Sequence, residues 1–169
     1  MIKNQLNIRE ENESMILNAV IKNGRISRAG LSQVTGLNKA SVSEIIKKMI
    51  AEKLIVEVGM GEAQTSGGRK PMLLEFNEKK SLLAAVDIGS NYISVALCYL
   101  DGTFVDQIFN DNIDINKENA SLLIIQYIDD LKSKQDLEIE GLCVAIHGSV
   151  LNNKIIFTPA YDLDSSSLY

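Results

Sequence analysis

Two cysteines and a single histidine in 169 residues leave little with which to build a disulfide framework or a metal centre. Cys98 and Cys143 lie far apart, each inside an apolar, strand-like segment, with no CxxC pair and no clustered histidine nearby. Buried free thiols are therefore expected, and no metal site. No apolar run approaches the roughly 18 residues that a membrane-spanning helix requires, and the opening MIKNQLNIREENES lacks the apolar centre of a signal peptide. The expectation is a cytoplasmic protein without membrane contact. Internal repeats and low-complexity tracts are also missing. What remains, at 46% hydrophobic residues, is a globular chain long enough for one ordinary domain or two small ones.

An overall surplus of positive charge is absent too, since the net charge is −5. Its distribution changes the reading. Residues 1 to 80 hold 13 Lys and Arg against 9 Asp and Glu, a net of +4, whereas residues 81 to 169 hold 4 against 13, a net of −9. A basic module suited to a polyanion is joined to an acidic one that is not.

In the basic half, REENESMILNAVIKN places Met15, Ile16, Ala19 and Val20 at helical spacing and predicts a helix over 9–23, closed by Gly24. Ser27 can cap a second helix over 28–35 whose apolar face is Leu31 and Val34. Gly30 within it costs about 1 kcal/mol relative to alanine, so packing must hold this helix. Gly36, Leu37 and Asn38 form a turn, and Asn38 caps a third helix over 39–53. At about 100° per residue, Val42, Ile45, Ile46, Met49 and Ile50 share one face of it. Ala40, Ser43, Glu44 and Lys47 occupy the opposite face, with Lys39 and Ser41 at its N-terminal edge. Two short helices around a tight turn, the second with a polar face, form a helix-turn-helix pattern in which the second helix enters a DNA groove.

Leu54 to Val58 reads as a strand and Lys70 to Asn77 as its return, with GMGEAQTSGGRKP between them as a wing. Arg69 and Lys70 close that loop, and an arginine there is suited to a narrow minor groove. The plain alternative is a solvated hairpin loop. Accordingly, Lys39, Ser41, Ser43, Glu44 and Lys47 are base-edge or groove candidates, Asn38 at the helix start is a DNA-binding candidate with them, and Arg28, Arg69 and Lys70 are candidates for phosphate. Glu44 would be repelled by phosphate but can accept a hydrogen bond from cytosine N4. Its alternative is a solvated charge paired with Lys47 or Lys48.

From Leu82 the pattern becomes three strands joined by short turns, a helix over 117–134 with Leu122, Leu123, Ile125, Ile128 and Leu131 facing inward, a strand from Gly141 to Ile146, and a short closing pair. The order β-β-β-α-β makes this a mixed module. His147 is read as a strand-end residue, with ligand contact as the alternative.

Residues 7 to 77, with NIRE, the helix-turn-helix and SGGRKPMLLEFN in that order, resemble the winged-helix region of bacterial ROK transcriptional repressors, regulators related to sugar kinases. VDIGSNYISVALCYLDG and GLCVAIHGSV resemble the opening of the ROK actin-like lobe. The resemblance implies an α+β chain: a winged helix-turn-helix over 1–78, then an incomplete actin-like (ribonuclease H-like) α/β lobe over 79–169. It also implies an operator-binding repressor of sugar-utilisation genes, a homodimer on double-stranded DNA, with a sugar as effector if a complete lobe exists. Relatives often carry a basic residue where this chain has Glu44, which implies a changed operator preference.

Asp87-Ile88-Gly89 resembles the first phosphate motif of actin-like kinases, where the aspartate helps hold magnesium and the glycine lets backbone approach phosphate. Asp87 and Gly89 are therefore cofactor-binding candidates, against the alternative of a tight hairpin turn. A sugar kinase or ATPase is thus the rival reading, and a winged-helix module for protein contacts is a third. The family's catalytic base, second phosphate motif, adenosine segment and zinc cluster would all fall beyond Tyr169, so neither enzyme activity nor a cofactor is expected of this chain. A lobe ending at Tyr169 is also expected to leave an exposed sheet edge and apolar surface, favouring pairing or poor solubility.

Overall fold

The computed structural model describes residues 2–61, 70–159 and 163, with side chains from residue 7 onward. The chain divides into two compact units, Met1–Asn77 and Glu78–Tyr169.

In the first unit, helix α1 (Ile2–Asn23) is longer than the predicted 9–23, because IKNQLNI contains no helix breaker and extends the helix from its N-terminal end. A two-residue strand β1 (Ile26–Ser27) leads into α2 (Arg28–Thr35) and α3 (Lys39–Ala51), followed by strands β2 (Ile55–Met60) and β3 (Met72–Phe76). The three strands form an antiparallel sheet in the order β1-β3-β2. Ile16, Val20, Leu31, Val42, Ile46, Ile55 and Leu74 make a fully buried core between helices and sheet.

Met15 and Val34, expected on inward faces, are exposed. Helix α1 meets the core through Ile16 and Val20, which leaves Met15 and Val34 lining an open groove beside Ala19 and Lys22.

The second unit is a four-stranded sheet in the order β6-β5-β4-β7, where β4 is Leu82–Ile88, β5 Ile93–Tyr99, β6 Phe104–Asn110 and β7 Ile139–Ile146. The first three form an antiparallel meander; β7 runs parallel to β4 after the crossover helix α4 (Ala120–Lys132). Alternate residues Leu82, Ala84, Val86 and Ile88 of β4, with Ile93, Val95 and Leu97 of β5, share one buried cluster with α4. The hairpin β8 (Ser149–Leu151) and β9 (Lys154–Phe157) turns through Asn152 and Asn153, both at positive φ, as two-residue hairpin turns demand.

Helix α4 differs from expectation in its phase. Ala120, Ile124 and Leu131 are buried, whereas Leu122 is 68% and Ile125 57% exposed. The run LLII is apolar on every side, so its periodicity could not select the inward face. The cysteines also differ: Cys98 is half-buried with its thiol 3.6 Å from the Leu83 carbonyl, and Cys143 is exposed. Both pair in register with the β4 residues that alternate with the buried set, Cys98 with Leu83 and Cys143 with Ala85.

Candidate nucleic-acid interface

The geometry of α2 and α3 is set by local hydrogen bonds. Ser27 Oγ accepts from the Gly30 amide at 3.1 Å and starts α2. Gly36, at φ +72, ends it, its amide donating to the Ser32 carbonyl at 3.1 Å, in a conformation that side chains disfavour. The Ser32 hydroxyl then donates to the Leu37 carbonyl at 2.6 Å, and Asn38 Oδ1 accepts from the Ser41 amide at 2.9 Å to start α3. Asn38 thus builds the helix start with the side-chain oxygen that a DNA contact would also use.

Four residues of α3, Val42, Ile45, Ile46 and Met49, are buried and fix its rotation. Lys39, Ser43 and Lys47 then lie together on its exposed side. Ser41 and Glu44 sit at the edge toward α1, in a groove of about 190 Å³ that also includes Ile8, Arg9, Asn12 and Ile45. The partner of Glu44 is not Lys47 or Lys48. Arg9 Nη2 approaches Glu44 Oε1 at 3.6 Å, while Arg9 Nε donates to Glu13 Oε1 at 3.1 Å. Lys48 is drawn to Glu13 Oε2 at 2.6 Å instead, with Glu52 at 4.0 Å. The Lys48 hydrogen bond holds the Glu13 carboxyl below the usual carboxylate range; desolvation opposes this and Arg9 adds to it.

Arg28, at the first position of α2, donates from Nη2 to Glu57 Oε1 on β2 at 3.0 Å, so its guanidinium is tied to the wing strand. The wing stem closes where the Gly61 amide donates to the Pro71 carbonyl at 2.8 Å. Lys70 is exposed beside that stem, and Arg69 lies outside the described residues together with 62–68. Arg9 had no assigned role in the sequence. Its i,i+4 spacing to Glu13 was a legible signal, but the link to Glu44 needs two helices side by side.

Asp87 and Gly89 belong to the second unit. The Tyr92 hydroxyl donates to Asp87 Oδ2 at 2.9 Å, and the Gly89 amide donates to the Tyr92 carbonyl at 3.0 Å. A Cβ on Gly89 would lie 2.0 Å from the Tyr92 ring, so the glycine makes room for tyrosine. That ring stacks on Phe109 at 5.7 Å and meets His147 edge-on at 6.3 Å. Both groups of the motif are engaged in closing the β4–β5 hairpin.

Helix, tight turn, polar-faced helix and two-stranded wing define a winged helix-turn-helix, and a mixed α/β sheet unit follows it. Residues 9–56 match a family model described as winged helix-turn-helix DNA-binding. The xylose repressor of Bacillus spizizenii is 35% identical over 163 residues, 94% of this chain and 42% of that protein. That of Staphylococcus xylosus is 34% identical over 144 residues, 83% of this chain and 37% of that protein. A solved ROK family transcriptional regulator, a homolog of E. coli MLC protein, shares the fold with a TM-score of 0.78 at 23% identity, covering 95% of this chain and 42% of its own. The chain carries a DNA-binding winged helix-turn-helix over residues 9–56, is similar along most of its length to xylose repressors, and shares the fold of a ROK family regulator. It spans about two-fifths of the length of these relatives. Among the described residues no helix is long and apolar enough to cross a membrane.

Proposed function

We propose that this chain carries the operator-reading part of a sequence-specific transcriptional regulator, a repressor of sugar-utilisation genes. Residues 1–78 form its DNA-binding domain and 79–169 the start of its sensor lobe. The carrying observation is the α3 surface: an apolar side locked into the core by four buried residues, and a free side bearing Lys39, Ser43 and Lys47. The names of the similar proteins, xylose repressors, support a pentose or related sugar as effector. The protein works in the cytoplasm as a homodimer whose two α3 helices enter successive major grooves about one helical turn apart, with each wing on flanking backbone or minor groove.

Lys39, Ser41, Ser43, Glu44 and Lys47 face base edges in this reading, Asn38 supports them from the helix start, and Arg28, Arg69 and Lys70 approach phosphate. Arg28 would exchange Glu57 for phosphate or hold both with different donors of its fork. The test is selection of duplexes from a randomised pool, followed by titration of the winner at several salt concentrations. A selected, two-fold-related sequence whose affinity falls steeply with salt is expected, and Ser43→Ala should alter which sequence is preferred. Absent or salt-insensitive duplex binding overturns the reading.

A further inference from the structure

Glu44 presents a physical difficulty. Its side chain is 73% exposed on a helix that must approach a polyanion, and a lone carboxylate there is repelled by every nearby phosphate. A long, exposed glutamate also samples several rotamers, which blurs any hydrogen bond it makes to a base. Both problems are met from α1. The Arg9 guanidinium reaches Glu44 Oε1 at 3.6 Å, an ion pair longer than a hydrogen bond, and is itself steadied by Glu13 at 3.1 Å. Glu13 is steadied in turn by Lys48 of α3 at 2.6 Å, and its side chain is only 18% exposed. The four charges bridge α1 and α3 twice, and Arg9 and Glu44 line one groove with Ile8 and Ile45.

We propose that Arg9 is a positioning residue for sequence recognition: it neutralises Glu44 and holds its carboxylate at the α1 edge of α3, oriented to accept from a base-edge amino group. The inference rests on the DNA-reading function above. Arginine suits the task because its planar fork engages two carboxylates from fixed directions, Nε toward Glu13 and Nη2 toward Glu44, which an ammonium does not. An amino group on a base edge in the major groove is that of cytosine or adenine, and a carboxylate is suited to cytosine N4. Glu44 therefore reads a cytosine and Arg9 makes that reading sharp.

The experiment compares the full chain with Arg9→Gln, Arg9→Lys, Glu44→Gln and the Arg9→Gln/Glu44→Gln double variant, by duplex selection and by salt titration on the wild-type site. Arg9→Gln should lower discrimination at the same base pair as Glu44→Gln, from about tenfold to about twofold, on the scale of a good base-edge contact. The double variant should match Glu44→Gln alone, Arg9→Lys should fall between, and the slope of affinity against salt should not drop. Arg9 is 55% exposed on its side chain, so helicity and melting should be preserved and are measured alongside. Unchanged preference in Arg9→Gln overturns the proposal, as do losses that simply add in the double variant. A salt slope reduced by about 0.9 with preference intact would instead make Arg9 a direct phosphate contact, which also overturns it. If the wild type selects a sequence and Arg9→Gln selects it equally well, only this proposal fails. If the wild type selects none, the DNA-reading function fails with it.

Discussion

Replacing Gly89 with alanine tests what the Asp87-Ile88-Gly89 turn is for. The new Cβ would sit 2.0 Å from one ring atom of Tyr92 and 2.4 Å from another, so the ring must leave its place. Leaving breaks the hydroxyl bond to Asp87 at 2.9 Å, and a hydrogen bond to a charged group contributes about 1.5–3 kcal/mol. It also disturbs the stack on Phe109, and such a pair is worth about 0.5–1.5 kcal/mol. Against this, removing a glycine from the unfolded chain returns about 0.4–1 kcal/mol. Partial solvent access at the turn reduces the first figure, so the net expectation is a loss of about 1–3 kcal/mol. All five tyrosines fall between residues 92 and 169 and the chain has no tryptophan, so tyrosine near-ultraviolet circular dichroism during urea unfolding reports on the second unit. In a Tyr92→Ala background the same glycine substitution should cost nothing or stabilise slightly. A Gly89→Ala protein as stable as wild type, or equal costs in both backgrounds, would refute the view that this glycine exists to admit Tyr92.

Two further outcomes are expected. Lys70→Ala should weaken binding to all duplexes alike and reduce the salt slope by about 0.9, as loss of one phosphate contact requires, with sequence preference retained in a selection experiment. The Glu13–Lys48 bridge should add stability that depends on pH in a definite sense. Because the Glu13 carboxyl is held below its ordinary value of 4.5 when folded, its contribution is present above that value and is lost as pH falls through the lower, folded pKa. The stability gap between wild type and Glu13→Gln, measured by urea unfolding, should therefore be open at neutral pH and close in acid.

The residues that shape α2 and α3 act within a few positions of themselves. Ser27 caps with its own hydroxyl, Gly36 ends a helix through its own backbone, Asn38 caps the next, and the i, i+3, i+4 spacing of Val42, Ile45, Ile46 and Met49 selects the buried side. These features were legible in the chain, and so was the mixed sheet unit that follows them in sequence, from its apolar runs and short turns. The phase of α4 was not, because Leu122, Leu123, Ile124 and Ile125 offer four adjacent apolar side chains and only the sheet decides which of them it touches. The same holds for Met15 and Val34, apolar at helical spacing yet left at the mouth of a groove by the way α1 crosses α2.

The sequence by itself determined the helix-turn-helix, the wing stem and the division into basic and acidic halves, since each follows from local backbone preference, capping or charge. Only the tertiary structure decided that Arg9 meets Glu44, that Lys48 is taken by Glu13, and that Tyr92 occupies the space beside Gly89. The reason is distance along the chain. Arg9 and Glu44 stand 35 residues apart, as do Glu13 and Lys48, and nothing in either segment alone specifies how α1 lies against α3 until Ile16, Val20 and Ile46 share one core.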